Sequence, residues 1–293
     1  MAMVINTNIG SLNSQRMLDN TNNSLKTSME RLSSGLRVNS AKDDAAGLAI
    51  GNKMNSQIRG MTVAIRNAND GISMAQTAEA AMGSITETLQ RMRDLAVQSS
   101  NTGAVNAADQ SKLQTEFEQL QKEIGRIITN TEFNGKKILN GGLSGQVFQV
   151  GANTTSDNRI SLTVNNLSAA ASTGLGSILL STVVIGGSAG TSAGAGVVTA
   201  TSVGAVIDGL DRALSRIDTF RSTLGAMQNR FTTTISNLQS SIENQSAARS
   251  RIMDADFAAE TAALSRNQIL QQAGVAMLSQ ANQAPQTVLS LLR

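Results

Sequence analysis

Apolar residues return every three or four positions through most of this chain, and those intervals predict long helices. Near the start, Ile5, Ile9 and Leu12 share one helical face, and Leu18, Leu25, Met29, Leu32 and Leu36 continue the stripe. Ser33-Ser34-Gly35 loosens this helix. Asn39-Ser40-Ala41-Lys42-Asp43-Asp44 reads as a break followed by a helix start, where acids suit the first turn. Ile58, Met61, Ile65, Ala68, Ile72 and Ala75 then keep a heptad rhythm, which resumes one residue out of register as Ala78, Met82, Ile85, Leu89, Met92 and Ala96. The pattern predicts a helix of ~60 Å with a small phase slip. Asn101-Thr102-Gly103 ends it, and Leu113, Phe117, Leu120, Ile124 and Ile127 mark the next helix.

The period then changes. Asn134-Gly135 and Asn140-Gly141-Gly142 are turn signals. Val147, Phe148 and Val150 form a short apolar run, while Ile160, Leu162 and Val164 alternate with polar residues. Together they predict a β-hairpin region. Residues 168–202 are a Gly, Ala, Ser and Thr tract with two small apolar islands. Helical spacing returns at Val206 and runs through Leu210, Leu214, Ile217, Leu224, Met227, Phe231, Ile235, Leu238 and Ile242.

A last stripe comprises Leu270, Ala273, Met277, Ala281, Ala284, Val288 and Leu291. No charge falls between Asn267 and Leu292, and the opposite face is Gln, Asn and Ser. So many amides exclude a membrane span, which wants about twenty mostly apolar residues. A polar yet uncharged face suits a helix packed against copies of itself, because in a homopolymer each charge recurs beside its own copy. The layout is palindromic: terminal helix, long helices, β insertion, long helix, terminal helix. The expected fold is therefore mainly α, with long antiparallel helices. The terminal stripes face each other as a coiled coil, the long helices form a bundle, and a small β-hairpin region carries a short insertion. Isolated helices of this kind are marginal in water, so both chain ends are expected to fold on docking.

Composition narrows the chemistry. The chain has 293 residues, one Pro, no His, Cys, Trp or Tyr, and only six Phe. Its cores must come from Leu, Ile, Val, Met and Ala, which suits helix seams. Without His or Cys, neither a Ser-His-Asp triad nor a Cys-His pair nor a thiolate zinc site can be built, and no cofactor is implied. Asn134-Gly135-Lys136-Lys137 lacks the remaining residues of a phosphate loop, and Asn69-Asp70-Gly71 lacks the acidic spacing of a calcium loop. Asp43-Asp44 and Asp254/Asp256 read as helix-start acids rather than catalytic pairs. The formal charge is +3 with scattered Lys and Arg, a weak nucleic-acid footprint. Residues 1–15 have neither a basic start nor an apolar core, so no Sec-type signal peptide is expected.

Longer motifs go further. Leu32-Ser33-Ser34-Gly35-Leu36-Arg37-Val38-Asn39-Ser40-Ala41-Lys42-Asp43-Asp44-Ala45-Ala46-Gly47-Leu48-Ala49-Ile50 resembles the N-terminal signature of bacterial flagellins. Asn67-Ala68-Asn69-Asp70-Gly71-Ile72-Ser73 continues the likeness, as do Gln268-Ile269-Leu270-Gln271-Gln272-Ala273-Gly274 and the run from Gln280 to Arg293. It covers roughly residues 1–165 and 205–293.

The resemblance implies a non-enzymatic, extracellular filament subunit, exported through the flagellar type III apparatus and polymerised for swimming motility. It implies inner terminal helices at 1–42 with 252–293, a helical bundle plus hairpin at 43–165 with 205–251, and an outward segment at 166–204. Ile5, Ile9, Leu12, Leu25, Leu32, Leu270, Ala273, Met277, Ala281, Val288 and Leu291 are the expected self-assembly interface. The implied partners are many copies of the chain itself, the filament cap and hook-associated proteins, an export chaperone at the C-terminal helix, and Toll-like receptor 5; neither nucleic acid nor membrane is implied. In Leu89-Gln90-Arg91-Met92-Arg93-Asp94-Leu95, close to the family's receptor motif, Gln90, Arg91 and Leu95 match its contacts, with Glu116 on the neighbouring helix. Asp94 and Met92 are mild departures from that motif. For the tract 168–202 the resemblance leaves two readings, an acceptor of O-linked sugars or unmodified surface. Two rival functions are a hook–filament junction protein of the same family and a cytoplasmic coiled-coil DNA-binding protein.

Overall fold

The computed structural model describes residues 7–101, 103–142, 145–163, 166, 167, 183, 185 and 200–291, with side chains omitted at 200–202 and 284–291. The elements are α1 (Ile9–Ser34), α2 (Ala45–Ser100), α3 (Ala107–Asn130), β1 (Glu132–Phe133), β2 (Lys136–Lys137), β3 (Gln146–Gln149), β4 (Arg159–Leu162), α4 (Ala200–Met253) and α5 (Phe257–Leu291). The chain divides into two compact units: Met1–Ile58 with Ile242–Arg293, and Arg59–Ser241. The boundary expected at 42–43 falls in the linker between α1 and α2 and that at 251–252 within the last turn of α4, whereas the compact units divide further along α2 and α4.

In the first unit, local chemistry sets where the helices stop. Asn8 caps α1 by accepting from the Ser11 backbone N–H at 3.1 Å. Gly35 ends α1 in the left-handed conformation, φ +70°, and its N–H reaches Arg31 O. The Ser33–Gly35 run therefore terminates the helix rather than merely loosening it. Asp43 accepts from the Ser40 hydroxyl and the backbone N–H groups of Ser40 and Asn39. These bonds, the Ser40 hydroxyl first, hold its pKa below the usual aspartate value. Asp44 accepts from Gly47 N–H, and Asp256 from Ala258 and Ala259 N–H, so these carboxylates cap α2 and α5. Arg37 donates to the carbonyls of Arg251 and Ile252 at the end of α4, and its own N–H donates to Met253 O.

In the second unit, the seam of buried positions on α2 runs Met61, Ala64, Ala68, Gly71, Ala75, Ala78, Met82, Ile85, Leu89, Met92, Ala96 and Ser99, with Met74 and Leu95 buried beside it. This is one unbroken alternation of threes and fours. The phase slip expected from the sequence is absent: Ile65 and Ile72 flank the seam, and Ala64 and Gly71 occupy it. Small residues there make room for a partner ring. A Cβ on Gly71 would lie 2.9 Å from Phe231 Cζ, and Phe231, fully buried, meets Phe148 edge-on at 5.7 Å. The main core joins the α2 face from Met74 to Ala96 to Phe117, Ile124 and Ile128 of α3 and to Leu210, Ala213, Ile217 and Leu224 of α4.

The buried face of α3 is Gln110, Gln114, Phe117, Gln121, Ile124 and Ile128, so three amides share it with three apolar residues. Gln114 and Gln110 bind backbone. Gln114 donates to Val183 O at 3.2 Å and accepts from Ile185 N–H at 2.7 Å, while Gln110 donates to Ser99 O. Leu113, Leu120 and Ile127, expected to form the seam, flank it instead.

The β region comprises two antiparallel pairs, β1–β2 and β3–β4. Asn134 (φ +49°) and Gly135 (φ +75°) form the two-residue turn of the first pair, the conformation for which Asn-Gly is favoured. Phe148 opposes Ile160 in the second. Asn67 of α2 donates to Gln149 O at 3.0 Å and pins this pair to the helix. Three residues of the Asn67–Ser73 motif thus serve packing: Asn67 holds the hairpin, and Ala68 and Gly71 clear space beside Phe231. The tract 168–202 lies outside the described residues apart from Val183, Ile185 and the backbone of 200–202.

Candidate assembly and recognition surfaces

α1 and α5 pair along a seam with strict heptad spacing. On α1 the less exposed residues include Ser11, Ser14, Leu18, Thr21, Leu25, Ser28 and Leu32; on α5 they include Leu264, Asn267, Gln271, Gly274, Leu278 and Ala281. Polar and small residues outnumber leucines, which brings the two backbones close. A Cβ on Gly274 would lie 3.3 Å from Leu18 Cδ1. Hydrogen bonds supplement the thin apolar contact: Asn8 Nδ2 donates to Ala281 O at 2.6 Å, Ser11 Oγ to Asn282 Oδ1 at 2.7 Å, and Gln271 Nε2 to Asn22 Oδ1 at 2.9 Å. Arg31 and Glu260 approach to 3.9 Å at the other end.

The expected interface residues therefore separate into two sets. Leu25, Leu32 and Ala281 line the seam, whereas Ile9, Leu12, Leu270, Ala273 and Met277 are exposed beside or opposite it. Ile5 lies outside the described residues, as do the side chains of Val288 and Leu291. The two terminal stripes do not simply face each other. The seam takes side chains small enough for close approach, and the larger apolar ones flank it. Met17, Met29, Phe257, Ile269 and Val275 join that exposed apolar set, though only Met29 falls on a stripe read from the sequence. For Ile269 and Val275 the uncharged stretch 267–292 was a signal; Met17, Met29 and Phe257 have charged neighbours in sequence.

On the outer face of α2, Gln90 is exposed, and Arg91 donates through Nε and Nη2 to Glu116 Oε1 of α3 at 2.9 and 2.7 Å. Arg93 pairs with Asp211 of α4 at 2.7 Å, and that carboxylate raises the guanidinium pKa. Gln90, Arg91 and Glu116 thus lie on the surface, but Leu95 does not: it is 1% exposed and belongs to the core. Heptad phase explains the difference. Leu89, Met92 and Ala96 lie on the seam and Leu95 beside it, so the helix face carrying Arg91 and Asp94 points to solvent while Leu95 points inward.

Among the described residues no group of acids could hold a metal ion, and no helix is long and apolar enough to cross a membrane. The geometry offers exposed apolar helix flanks on α1 and α5 and an ionic patch on α2 and α3. Comparison with known proteins supports that picture. The models for the bacterial flagellin N-terminal helical region and C-terminal helical region match residues 5–143 and 207–292. A flagellin of Halalkalibacterium halodurans is 45% identical, and one of Bacillus subtilis 43% identical, each over 99% of this chain and 100% of the relative. The structure of a putative flagellar hook-associated protein from Vibrio parahaemolyticus has a TM-score of 0.55 at 13% identity, covering 72% of this chain and 100% of that one, a likeness of fold alone. With matched helical regions at both ends and relatives similar along their whole length, the chain belongs to the bacterial flagellin family, the structural subunits of the flagellar filament.

Proposed function

We propose that this filament subunit assembles through the apolar flanks of α1 and α5, with Ile9, Leu12, Leu270, Ala273 and Met277 meeting neighbouring copies, and Leu25, Leu32 and Ala281 holding the internal seam. Ile5, Val288 and Leu291 belong to the same interface by sequence position. The observation that carries this reading is a large exposed apolar set on helices whose last stretch, Asn267 to Leu292, contains no charge. Exposed apolar surface of this extent on a protein kept in water marks an interaction face. The terminal helices complete their folding as they dock, the filament cap and hook-associated proteins meet the same flanks at the filament ends, and an export chaperone holds the C-terminal helix before secretion. Export uses the flagellar type III route, and the finished polymer is extracellular.

Seeded polymerisation tests it. Leu270→Lys and Met277→Lys should each leave the chain soluble and its bundle helical while lowering seeded growth at least tenfold. Growth at the wild-type rate in both variants overturns the assignment.

A second reading concerns Toll-like receptor 5. Gln90 and the Arg91–Glu116 pair form an exposed ionic patch matching the family's receptor motif. Leu95 contributes from beneath, by holding α2 in place. In reporter cells bearing the receptor, Arg91→Ala should raise the half-maximal dose of monomer at least tenfold, and an unchanged dose refutes the reading.

A further inference from the structure

This chain has no Cys, Trp, Tyr or His, so methionine thioethers are its most readily oxidised side chains. Among the described residues they range from buried to exposed, with Met54 and Met227 between. Met61, Met74, Met82, Met92 and Met253 are buried, whereas Met17 is 63% exposed, Met29 50% and Met277 63%. All three exposed residues sit on the terminal helices, one position from a seam residue: Met17 beside Leu18, Met29 beside Ser28, and Met277 beside Leu278. Among the described residues the most accessible sulfurs are therefore concentrated on the terminal helices rather than scattered over the bundle.

We infer that Met17, Met29 and Met277 form a modification site at which a peroxide-class oxidant converts free subunits into an assembly-incompetent form. This rests on the assembly reading above. In the reaction the peroxide O–O bond breaks and an S–O bond forms. The sulfur loses two electrons and becomes a sulfoxide, and the peroxide is reduced to water. The product replaces a flexible apolar side chain by a strongly polar one. Placed in a face that must be desolvated against neighbouring copies, a sulfoxide oxygen gives up hydrogen bonds to water that the thioether never made. The helix seam itself, built from Ser, Thr, Gln, Gly and Leu, contains no sulfur among its described residues, so oxidation acts on the intermolecular faces and spares the fold.

Graded hydrogen peroxide on monomer, read by peptide mapping and by seeded growth, tests this. Met17, Met29 and Met277 should oxidise at least tenfold faster than Met82 and Met92, and growth should fall at least tenfold as they do. The Met17→Leu/Met29→Leu/Met277→Leu variant, treated identically, should keep its untreated growth rate. A measurement needing no variant applies the same dose to finished filaments, where the three thioethers should react at least tenfold more slowly than in monomer. Equal rates in monomer and filament, full growth of oxidised wild type, or equal loss of growth in the variant each overturn the inference. Failure of untreated wild type to grow on seeds would instead overturn the assembly reading itself.

Discussion

Gly71 and Gly83 lie in the same helix and should respond oppositely to the same methyl group. In an exposed helix interior, Gly→Ala stabilises by ~1 kcal/mol, because alanine loses less backbone entropy on folding. Around Gly83 nothing lies within 4 Å of a built Cβ, so Gly83→Ala should realise that gain. At Gly71 the new Cβ would lie 2.9 Å from Phe231 Cζ and 3.2 Å from Cε1 and Cε2. That ring is fully buried and meets Phe148 edge-on, so it cannot swing aside cheaply. Overpacking of this kind costs ~1–3 kcal/mol, which cancels or exceeds the propensity gain and leaves a net loss of ~0–2 kcal/mol. The two variants should then differ by ~1–3 kcal/mol, or ~0.5–1.5 M in urea midpoint at a slope near 2 kcal/mol/M. Urea unfolding of monomer followed by far-ultraviolet circular dichroism reads the difference, and Phe231→Leu in the Gly71→Ala background should recover part of the loss. A midpoint for Gly71→Ala that rises as much as that for Gly83→Ala refutes the claim that Phe231 fills the space over Gly71.

Three further outcomes follow from described geometry. Gly135→Val forces a β-branched residue into φ +75° and should destabilise monomer by ~1–2 kcal/mol in the same urea assay, whereas Gly135→Asn should cost far less. Gly274→Val crowds Leu18 across the α1–α5 seam, and filaments of the variant should melt at a lower temperature than wild type in a light-scattering ramp. The hydrogen bond from Arg126 and its nearby charge hold Glu123 below the usual glutamate pKa, so this contribution to stability is fully present above the unfolded value and is lost as pH falls through the lowered folded one. Carbon-detected titration should place the Glu123 midpoint below the ordinary glutamate range, and Arg126→Gln should move it back up.

Helix existence, the Asn134-Gly135 turn and the pairing of the 146–149 and 159–162 segments were legible in the sequence, because period and turn chemistry act locally. Heptad phase was not. Reading the largest apolar residues as the seam placed Ile65 and Ile72 inside α2, whereas Ala64 and Gly71 are buried there and the approach of Phe231 leaves no room for a side chain at Gly71. The same bias put Ile9, Leu12, Leu270 and Met277 into the α1–α5 contact and overlooked Ser11, Ser28 and Gly274. Nor could a pattern of apolar letters find Gln110 and Gln114, whose amides face inward to bind backbone, in the case of Gln114 far away in sequence. Leu95 shows the complementary limit: a motif match identifies a residue but not the side of the helix on which it lies.

The leucine-poor contact between α1 and α5 bears on how a polymer of this chain starts. A subunit whose ends grip each other weakly gains little by ordering them alone and much by ordering them in a ready-made socket. Spontaneous nucleation should therefore be rare and elongation easy, which confines growth to tips that already exist and keeps a crowded pool of subunits from gelling.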